Sequence, residues 1–443
     1  MESLRGTRAL YFLDQFEKTQ WWPRERLLEW QDERLRNLIK HTFNQVPFYR
    51  EYSRKKALKA EDIRGRKDLY KLPIVDKKLM SQDTSRFIAD NASIYKPHQT
   101  RTGGTTGTPF VFYIDRDSWS VGWAGNWRSW KWGGYTIGDK LAVLAGSSLV
   151  QTRQQNLIKK IKYRVYYNIL QNALPFSSFD VSDEKLAEYV QRYKKFGAHY
   201  LRCYGQAGYI LADYCRREGI NDLRFKSIFP TSEQIQLDQR QIMEKHLGAE
   251  VYDDYGCFDG NLKAVECGEH NGFHMAMETA IFEFLKNDEP VKSGEEGEII
   301  ATSLYNYAMP FIRYRVGDLG VPSDEICPCG RELPLIKKLI GRASDYVLTP
   351  DGQRIHPHFF LYLFWDQDWL FHYQIRQHEI GEVLILLVKR RDPTSDEEKR
   401  MLTVLNNKLG DGGYKIKYVD NIEPTEGGKR ISILSTLDRG TDI

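Results

Sequence analysis

Short apolar runs of strand length alternate with helical segments through the middle of the chain. The runs are "FVFYID", "LAVLAG", "AHYLRCYG", "FKSIFPTSE", "AEVYDDYG" and "EGEIIATSL". The helical segments carry apolar residues at spacings of three and four, and "SDEKLAEYVQRYKKF" has Ser182 as its candidate N-cap. Strands separated by helices favour parallel pairing, because each crossover helix covers one face of a sheet. The pattern therefore predicts an α/β fold.

The alternation changes near residue 341, where the turn-rich segment "GRASDYVLTPDGQRIHP" leads into a smaller α+β pattern. A chain of 443 residues also exceeds the usual size of one domain. We therefore predict a large N-terminal domain over 1–341, with mixed or parallel sheets flanked by helices, and a small α+β domain over 342–443. The large domain is expected to start with a helical region, 1–95, in which Pro47 ends the amphipathic segment "RERLLEWQDERLRNLIKHTFNQ".

Four tryptophans recur at helical spacing after the first strand candidate, namely Trp119, Trp123, Trp127 and Trp130. A stacking platform for a ligand is one interpretation of this stripe. A helix buried on its aromatic side is the interpretation we favour, because aromatic rings mostly bury against a core.

Composition excludes several classes of protein. The formal net charge of +4 is almost neutral at this length, which argues against a dedicated nucleic-acid binder. The apolar runs are too short to span a membrane, and the first residues lack the apolar stretch of a secretory signal. Six cysteines are too few for a disulfide scaffold. We expect a cytoplasmic protein, with Cys203, Cys215 and Cys257 as plain core or near-site thiols.

One stretch, "RQQNLIKKIKYRVYY" (153–167), carries five basic residues and no acidic ones. A helix with this pattern is able to touch an anionic membrane surface or a phosphorylated ligand. An ordinary solvated helix explains the pattern equally simply, and we favour that interpretation over peripheral membrane contact.

A loop rich in glycine and threonine, "TRTGGTTGTPF", precedes the first strand candidate. Bare glycine backbone lets N–H groups wrap an anion, and threonine hydroxyls add neutral donors, so the loop suits nucleotide phosphates. The Walker pattern is absent, because no lysine follows the glycines. Taken alone, the loop therefore indicates phosphate binding or a glycine-rich hairpin without function.

Four further stretches follow this loop in a fixed order. They are "YDDYGCFDG" (252–260), "MPFIRYRVGDLG" (309–320), "LIGRASDYVLTPDGQRI" (339–355) and "EPTEGGKRIS" (423–432). With "TGGTTGTP" in front, the set resembles the adenylate-forming superfamily of acyl-CoA synthetases, adenylation domains and luciferases. "VPFYR", "LPIVDKKLM" and "CPCGRELP" are typical of its phenylacetate–CoA ligase-like branch, which includes capsule-polysaccharide members. The resemblance covers nearly the whole chain.

The resemblance implies roles in an ATP site. Tyr255 and Gly256 correspond to the adenine pocket, and Asp318 to the carboxylate that accepts hydrogen bonds from both ribose hydroxyls. Asp259 stands where the family has a glutamate that helps to hold Mg²⁺, and Arg342 corresponds to an arginine near the ribose and phosphates. The β- and γ-phosphates would be held by Thr102, Gly103, Gly104, Thr105, Thr106 and Gly107, with Gly103 where many relatives have serine.

The resemblance also implies a catalytic lysine at the other end of the chain. Lys429, in "TEGGKR", matches the lysine that stabilises charge on the carboxylate and the α-phosphate while the anhydride forms. In the family the small C-terminal domain is mobile and presents this lysine in one of two orientations. The hinge would lie after Arg342, at Ser344 or Asp345. The catalytic candidates are therefore Lys429, Arg342 and Asp259.

Cysteines and histidines in two segments predict a metal site. "ECGEHNGFH" and "CPCG" contain enough Cys and His ligands for tetrahedral Zn²⁺, although the spacing is unlike a standard zinc finger. Several relatives in this branch carry a structural zinc at the corresponding segments, so the resemblance implies one in this chain. We favour Cys267, His274, Cys327 and Cys329, with His270 as the alternative histidine. Four protein ligands imply a structural role, and thiols without metal are the other interpretation.

Three functions are compatible with these motifs. The resemblance implies an ATP-dependent ligase that adenylates a carboxylic acid, releases pyrophosphate and transfers the acyl group, most simply to CoA. An amine or hydroxyl acceptor in surface polysaccharide or secondary-metabolite biosynthesis is the alternative. A degenerate nucleotide-binding scaffold is the third. It is supported by Gly103, Asp259 and Ser344, and it is opposed by the retention of Asp318, Arg342 and Lys429. A homodimer would be ordinary for the branch, and the acid itself has no signature residues.

Overall fold

The computed structural model describes residues 7–101, 110–146, 171–257, 259–342, 347–351, 353–355, 359–360, 363–364, 367–410, 412–424, 430–435 and 437. These residues fall into two compact units, one ending at residue 340 and the other beginning at residue 341. The first unit holds a large mixed sheet with helices, and the second holds a small sheet with a helix. The predicted fold class is therefore confirmed.

The secondary structure agrees with the predicted segments through most of the described chain. The described helices are α1 (Ala9–Thr19), α2 (Arg24–Gln45), α3 (Pro47–Lys55), α4 (Lys77–Gln82), α5 (Arg116–Trp132), α6 (Asp183–Phe196), α7 (Gly205–Arg217), α8 (Leu237–Leu247) and α9 (Ser395–Leu409). Ser182 caps α6, since its hydroxyl accepts a hydrogen bond from the Lys185 N–H. No helix in this described set is both long and apolar enough to cross a bilayer.

The described strands of the first unit are β1 (Val75–Asp76), β2 (His98–Arg101), β3 (Val111–Ile114), β4 (Leu141–Ala145), β5 (Ala173–Ser177), β6 (Tyr200–Tyr204), β7 (Ser227–Thr231), β8 (Glu250–Val251), β9 (Asp254–Cys257), β10 (Leu262–Glu266), β11 (Phe273–Met275), β12 (Ala280–Lys286), β13 (Glu289–Pro290), β14 (Gly297–Ser303), β15 (Tyr314–Ser323) and β16 (Leu335–Arg342). The main sheet has the order β13-β12-β14-β15-β16-β11-β10-β9-β7-β6-β4-β5, with β1 beside β15 and β8 beside β7. "FVFYID" contains β3, which pairs with β2 in a separate two-stranded sheet.

Pairing in the main sheet changes direction at β9. From β5 to β9 every strand pair is parallel, and helices α6, α7 and α8 connect the strands, as the alternation predicts. The pairs β9–β10, β10–β11, β12–β14 and β14–β15 are antiparallel, because short connections replace the crossover helices. "EGEIIATSL", as β14, therefore lies in an antiparallel part of the sheet, and the parallel interpretation was wrong for this strand.

The helical start of the chain packs into the large core. Phe16 of α1, together with Leu35 and Ile39 of α2, is fully buried. Pro47 ends α2, as predicted, but it also begins α3, because its fixed φ and missing N–H are tolerated in the first helical turn. The region is thus a succession of helices with Val46 extended between two of them.

The tryptophan stripe lies on α5, and the structure supports the buried-helix interpretation. Trp130 is buried and stacks on Phe229 of β7 at 5.9 Å between ring centroids. Trp123 and Trp127 are part-buried against the same cluster. Asp115 caps this helix by accepting a hydrogen bond from the Ser118 N–H at 2.8 Å.

An ion pair lies inside the core between α5 and the loop before β12. Arg128 Nη1 donates to Glu278 Oε1 at 2.6 Å, and the two side chains are 1% and 0% exposed. Thr19 Oγ1 donates to the same carboxylate oxygen at 2.8 Å. Because both charges are out of water, each depends on the other for compensation.

Arg128→Met is expected to lower the free energy of unfolding by about 3 kcal/mol or more, because it leaves Glu278 buried without a countercharge. Urea denaturation measures the change. The double variant Arg128→Met/Glu278→Gln removes both charges and is expected to recover most of the loss. A single variant within about 1 kcal/mol of the wild type would contradict this account of the pair.

The second unit has a four-stranded sheet, and α9 packs against it. Its described strands are β17 (Val347–Leu348), β18 (Arg354–Ile355), β19 (Leu370–Glu379), β20 (Glu382–Lys389), β21 (Tyr414–Tyr418) and β22 (Ile433–Ser435), with sheet order β21-β20-β19-β22 and a separate pair β17-β18. Met401, Leu405 and Leu409 of α9 are buried against Ile375 and Ile385 of the sheet. The helix begins with a capping box between Thr394 and Glu397.

Candidate nucleotide site and metal centre

Two residues predicted to line the nucleotide pocket are in direct contact. Tyr255 on β9 donates a hydrogen bond from its hydroxyl to Asp318 Oδ2, on β15, at 2.8 Å. Burial, followed by the nearby Asp318 charge, raises the pKa of Tyr255 well above its usual range, so the phenol stays a donor. The residues predicted for the adenine and ribose ends of the site are thus brought together.

A strand bulge and a left-handed glycine shape the backbone around Asp318. The pairing of β14 with β15 shifts register between Glu298 and Ile300, which marks a bulge. Gly317, directly before Asp318, has φ +84°, a left-handed conformation that favours glycine. The "VGD" sequence therefore has a structural reason for its glycine.

Gly256 differs from Gly317, because the fold does not require a glycine there. A Cβ at Gly256 would meet only Leu262 O at 3.6 Å and Asp254 Oδ1 at 3.8 Å, which are ordinary contacts. The residue is exposed in a strand whose first member is buried. Bare backbone beside Tyr255 is what close approach of a planar ligand requires.

Asp259, in the turn after β9, is held by two donors. Cys257 Sγ lies 2.8 Å from Asp259 Oδ1, and the Tyr314 hydroxyl donates to Oδ2 at 2.7 Å. Burial raises the pKa of Cys257 and of Tyr314 well above the usual range, so both remain protonated donors. Each carboxylate oxygen keeps a lone pair for another ligand, which is compatible with Mg²⁺, an ion that commonly binds one or two carboxylates plus phosphates and water.

Several predicted site residues lie outside the described residues. These are the phosphate loop, Thr102 to Gly107, the hinge candidates Ser344 and Asp345, the basic stretch 153–167 and Lys429. The backbone of Arg342 ends β16, and its side chain is outside the described part of the chain. Their roles stay predictions.

Four of the predicted metal ligands form one cluster. The candidate ligand atoms of Cys267, His274, Cys327 and Cys329 all lie within 4.8 Å of one another. Cys267 Sγ is 3.7 Å from Cys327 Sγ, and His274 Nε2 is 3.3 Å and 3.4 Å from the sulfurs of Cys267 and Cys329. Tetrahedral zinc sets sulfur–sulfur and sulfur–nitrogen edges of about 3.8 and about 3.6 Å from its bond lengths, so the cluster has the size of a zinc site.

The cluster joins segments that are distant in sequence. Cys267 follows β10, His274 lies on β11, and Cys327 and Cys329 lie in the loop between β15 and β16. The other candidate histidine, His270, points to a different group, with Nδ1 3.4 Å from Glu266 Oε2 and 3.4 Å from Arg240 Nη1. The geometry therefore favours His274 as the fourth ligand.

The protonation of the cluster suits a metal. Burial lowers the pKa of His274 to about 4, which leaves a neutral imidazole able to donate a lone pair. Burial also raises the pKa of the Cys267 thiol to about 12, so a thiolate there needs a cation for compensation. The donor set of three sulfurs and one nitrogen is typical of structural zinc.

A polar cluster close to Tyr255 was missed in the sequence. Lys263 on β10 donates from Nζ to Asn126 Oδ1 of α5 at 2.6 Å and forms a salt bridge with Asp254 of β9. The signal was a lysine within the otherwise apolar run "LKAV", in a strand buried at every position. Tyr314, which donates to Asp259, lies within the stretch "MPFIRYRVGDLG" but was not singled out there.

Comparison with known proteins finds sequence similarity in both units. Residues 347–436 match the family model of the CapK C-terminal domain. Protein CapK of Staphylococcus aureus is 24% identical over 412 residues, covering 91% of this chain and 88% of its own length. Phenylacetate-coenzyme A ligase of Thermus thermophilus is 26% identical over 358 residues, covering 76% and 74%. These relatives support an adenylate-forming superfamily, with a branch that contains CapK and the phenylacetate–CoA ligases.

The fold of the chain is similar to that of a solved structure. The crystal structure of 2-hydroxyisobutyryl-CoA ligase in the postadenylation state, in complex with 2-HIB-AMP, has a TM-score of 0.73 at 19% identity. The likeness covers 93% of this chain and 90% of that chain. At this identity the comparison supports the fold, and the roles of individual residues rest on the local geometry.

We expect the purified protein to contain about one equivalent of zinc, since four ligands surround one position. Cys327→Ala is expected to reduce the zinc content and to lower the melting temperature by roughly 5–10 °C, because β10, β11 and the β15–β16 loop lose a common anchor. Elemental analysis and thermal unfolding measure the two effects. Cys215→Ala, at a buried thiol of α7 outside the cluster, is the matched control. Less than about half an equivalent of zinc in the wild type would contradict the assignment.

Proposed function

We propose that this protein activates a carboxylic acid with ATP and transfers the acyl group to the thiol of CoA. The acid's carboxylate oxygen attacks the α-phosphorus of ATP, the bond from that phosphorus to the pyrophosphate oxygen breaks, and pyrophosphate leaves. The CoA sulfur then attacks the acyl carbon, AMP leaves, and the thiol proton is released. The observation that carries the proposal is the Tyr255–Asp318 hydrogen bond beside the anchored carboxylate of Asp259.

The described residues have distinct tasks in this proposal. Asp318 accepts hydrogen bonds from the ribose hydroxyls, while Tyr255 fixes its position through the second contact. Asp259 holds Mg²⁺, which supplies positive charge to the phosphates of ATP. Cys257 and Tyr314 keep the Asp259 carboxylate in one orientation, so the charge is already aligned when ATP binds.

The remaining tasks fall to residues outside the described structure. The phosphate loop, Thr102 to Gly107, binds the β- and γ-phosphates, and Lys429 stabilises the charge on the carboxylate and α-phosphate. Arg342 acts at the ribose and phosphates. Rotation of the C-terminal domain near residues 342–345 exchanges the adenylation and transfer arrangements. These assignments are supported by the order of the motifs along the chain.

The Cys267–His274–Cys327–Cys329 cluster takes a structural Zn²⁺ in this proposal. Four protein ligands would leave no coordination position for a substrate, so the metal stabilises loops and does no chemistry. The cluster distances and the neutral histidine support this role.

A second candidate replaces CoA by an amine or hydroxyl acceptor. The specific observation in its favour is the C-terminal match to the CapK family model over residues 347–436. Protein CapK also aligns with 91% of the chain, whereas the phenylacetate–CoA ligase of Thermus thermophilus aligns with 76%. In this superfamily the C-terminal domain takes part in the acyl-transfer step. A CapK-type C-terminal domain is therefore compatible with an acceptor other than CoA.

Release of AMP distinguishes the two acceptors. The full chain is incubated with ATP, Mg²⁺ and an acid that supports ATP–pyrophosphate exchange. AMP is then measured with and without CoA. Strong stimulation by CoA, with formation of an acyl-CoA thioester, is the expected result. Stimulation by an amine such as hydroxylamine or an amino sugar, without any effect of CoA, would favour the second candidate instead.

A further inference from the structure

The loop that carries Cys327 and Cys329 turns its peptide N–H groups towards the sulfurs. The Gly330 N–H donates to the Cys327 carbonyl at 3.1 Å, and Gly330 has φ +81°, a left-handed conformation that favours glycine. In this turn the N–H of Cys329 faces the Cys327 sulfur, and the N–H of Arg331 faces the Cys329 sulfur. Cys267 has a peptide N–H from the second residue after it in the same way. The three sulfurs therefore share one type of backbone contact.

Cys329 differs from the other two cysteines, because a charged side chain also lies beside its sulfur. The Arg331 guanidinium is within hydrogen-bonding reach of the Cys329 sulfur and adds a positive charge there. In the described ranges the side-chain contacts of the Cys267 sulfur are Cys327 and His274, and neither of them is a guanidinium or an ammonium group. One sulfur of the cluster therefore has a cationic donor of its own.

Three neighbouring side chains fix the direction of Arg331. Its Nε donates to Gln20 Oε1 at 3.1 Å, and the indole N–H of Trp132 donates to the same oxygen at 2.8 Å. The guanidinium carbon lies 4.6 Å from the ring centre of Trp21 and 4.4 Å from that of Trp132. Because Nε is engaged and rings cover the guanidinium, its terminal N–H groups are the ones left for the sulfur.

The histidine of the cluster contacts the same assembly. Trp132 meets His274 edge-on, with 5.5 Å between the ring centroids. The charge of Arg331 is also near enough to act on His274. Arg331 and Trp132 thus contact the cluster from outside at two of its four candidate ligands. Contacts of this kind orient metal ligands and tune the affinity for the metal.

The charge of the ligand set leaves a task for Arg331. Zn²⁺ bound by three thiolates and a neutral imidazole has one negative charge in excess, which is costly in a largely buried cluster. Arg128 also lies near His274, but its charge is paired with Glu278. In the described ranges the partners of Arg331 are an amide oxygen, a sulfur and aromatic rings, with no carboxylate within 4 Å. Its positive charge is therefore available to the cluster.

We propose that Arg331 is a positioning residue for the metal, which donates to the Cys329 thiolate and balances the excess negative charge of a zinc held by three thiolates. The inference rests on the structural zinc proposed above and does not depend on adenylation. Gln20, Trp21 and Trp132 hold the guanidinium in place before the metal binds. Arg331 thus sets how tightly the protein holds zinc, although it is not a ligand.

Transfer of zinc to a chromophoric chelator tests the inference. The full chain is loaded with Zn²⁺ and mixed with pyridylazoresorcinol, whose absorbance follows the zinc that the protein loses. Arg331→Gln keeps a polar side chain and removes the charge, and it is expected to weaken zinc affinity by roughly 10- to 100-fold. Zinc content at saturation is expected to stay at about one equivalent, because the four ligands are unchanged.

Two control variants separate the charge from aromatic packing. Arg331→Lys keeps the charge without the planar fork and is expected to recover part of the lost affinity. Arg26→Gln removes an arginine of α2 whose guanidinium carbon lies 3.7 Å from the ring centre of Trp22, and it is expected to leave the affinity within about twofold of the wild type.

Thermal unfolding with and without zinc is the second readout. Arg331→Gln is expected to lower the melting temperature of the zinc-loaded protein by more than that of protein stripped with EDTA, because the lost contact acts on the metal-bound ligands. An equal fall in both forms would overturn the inference, since Arg331 would then act through packing alone.

The remaining outcomes distinguish the inference from the proposals on which it rests or borders. Equal zinc affinity in the wild type and in Arg331→Gln would overturn the inference and leave the zinc site standing. A wild type that binds no zinc would overturn both the zinc assignment and the inference. Pyrophosphate exchange is not a readout in any of these measurements, so a failure of the proposed adenylation is distinguishable from a failure of this inference.

Discussion

Lys429→Ala is expected to reduce acid-dependent ATP–pyrophosphate exchange by roughly 100- to 1,000-fold. Adenylation brings a carboxylate against a phosphate, and both reactants are negative. In the proposed function, residues 102–107 contribute neutral donors and include no lysine, and Lys429 supplies a compensating positive charge. This assignment is a prediction from the resemblance of "TEGGKR" to the family motif. ATP binding is expected to change little, because the loss falls on the reacting atoms.

Lys417→Ala is the matched control for Lys429. Lys417 lies exposed on β21 of the same unit. Its removal changes the net charge equally and is expected to leave exchange within about twofold of the wild type. Exchange that persists in Lys429→Ala at the wild-type rate would contradict the assignment of this lysine.

Asp318→Ala is expected to lower kcat/KM for ATP by roughly 100-fold, mainly through a higher KM. The carboxylate is proposed to accept hydrogen bonds from two ribose hydroxyls, and each charge-assisted bond contributes substantially in a part-buried site. Titration of the exchange rate with ATP at saturating acid measures the change.

Tyr255→Phe is the comparison for Asp318. It removes the 2.8 Å hydrogen bond to Asp318 and keeps the aromatic ring. We expect a fall of about tenfold or less, because Asp318 keeps its charge and loses only one positioning contact. A larger effect from Tyr255→Phe than from Asp318→Ala would indicate that the carboxylate does not bind the nucleotide.

The local sequence pattern was sufficient to predict strand direction in the parallel half of the sheet. β4, β6 and β7 are apolar runs preceded by helices, and crossover helices impose parallel pairing. The same reasoning failed for β14, because the hairpin turns after β9 leave no room for crossover helices. Turn length, rather than strand composition, determined direction there.

The metal cluster shows what sequence spacing cannot decide. Cys267 and Cys327 are 60 residues apart, and only the β15–β16 loop brings the second near the first. His270 and His274 are equivalent in the sequence, but His274 lies on β11 against β16, while His270 lies in a turn and contacts Glu266. Tertiary pairing therefore selects the ligand.

The candidate nucleotide site was predicted in part. Tyr255, Asp259 and Asp318 came from ordered motifs, and the structure connects the first and third by a hydrogen bond. Cys257 was expected to be a plain core or near-site thiol, and its Sγ lies beside Asp259 Oδ1, which agrees with a place near the site. Lys263 and Asn126 were missed, because each is a single polar residue within an apolar or aromatic segment. Cytoplasmic location and a homodimer stay predictions.

Acid-dependent ATP–pyrophosphate exchange tests the central claim most directly. The full chain is incubated with ATP, Mg²⁺, labelled pyrophosphate and a panel of aryl, fatty, amino and dicarboxylic acids. We predict that label enters ATP only when a suitable acid is present, because reversal of adenylation requires the acyl-adenylate. No exchange with any acid, in protein that still binds ATP, would contradict the account and favour a nucleotide-binding scaffold.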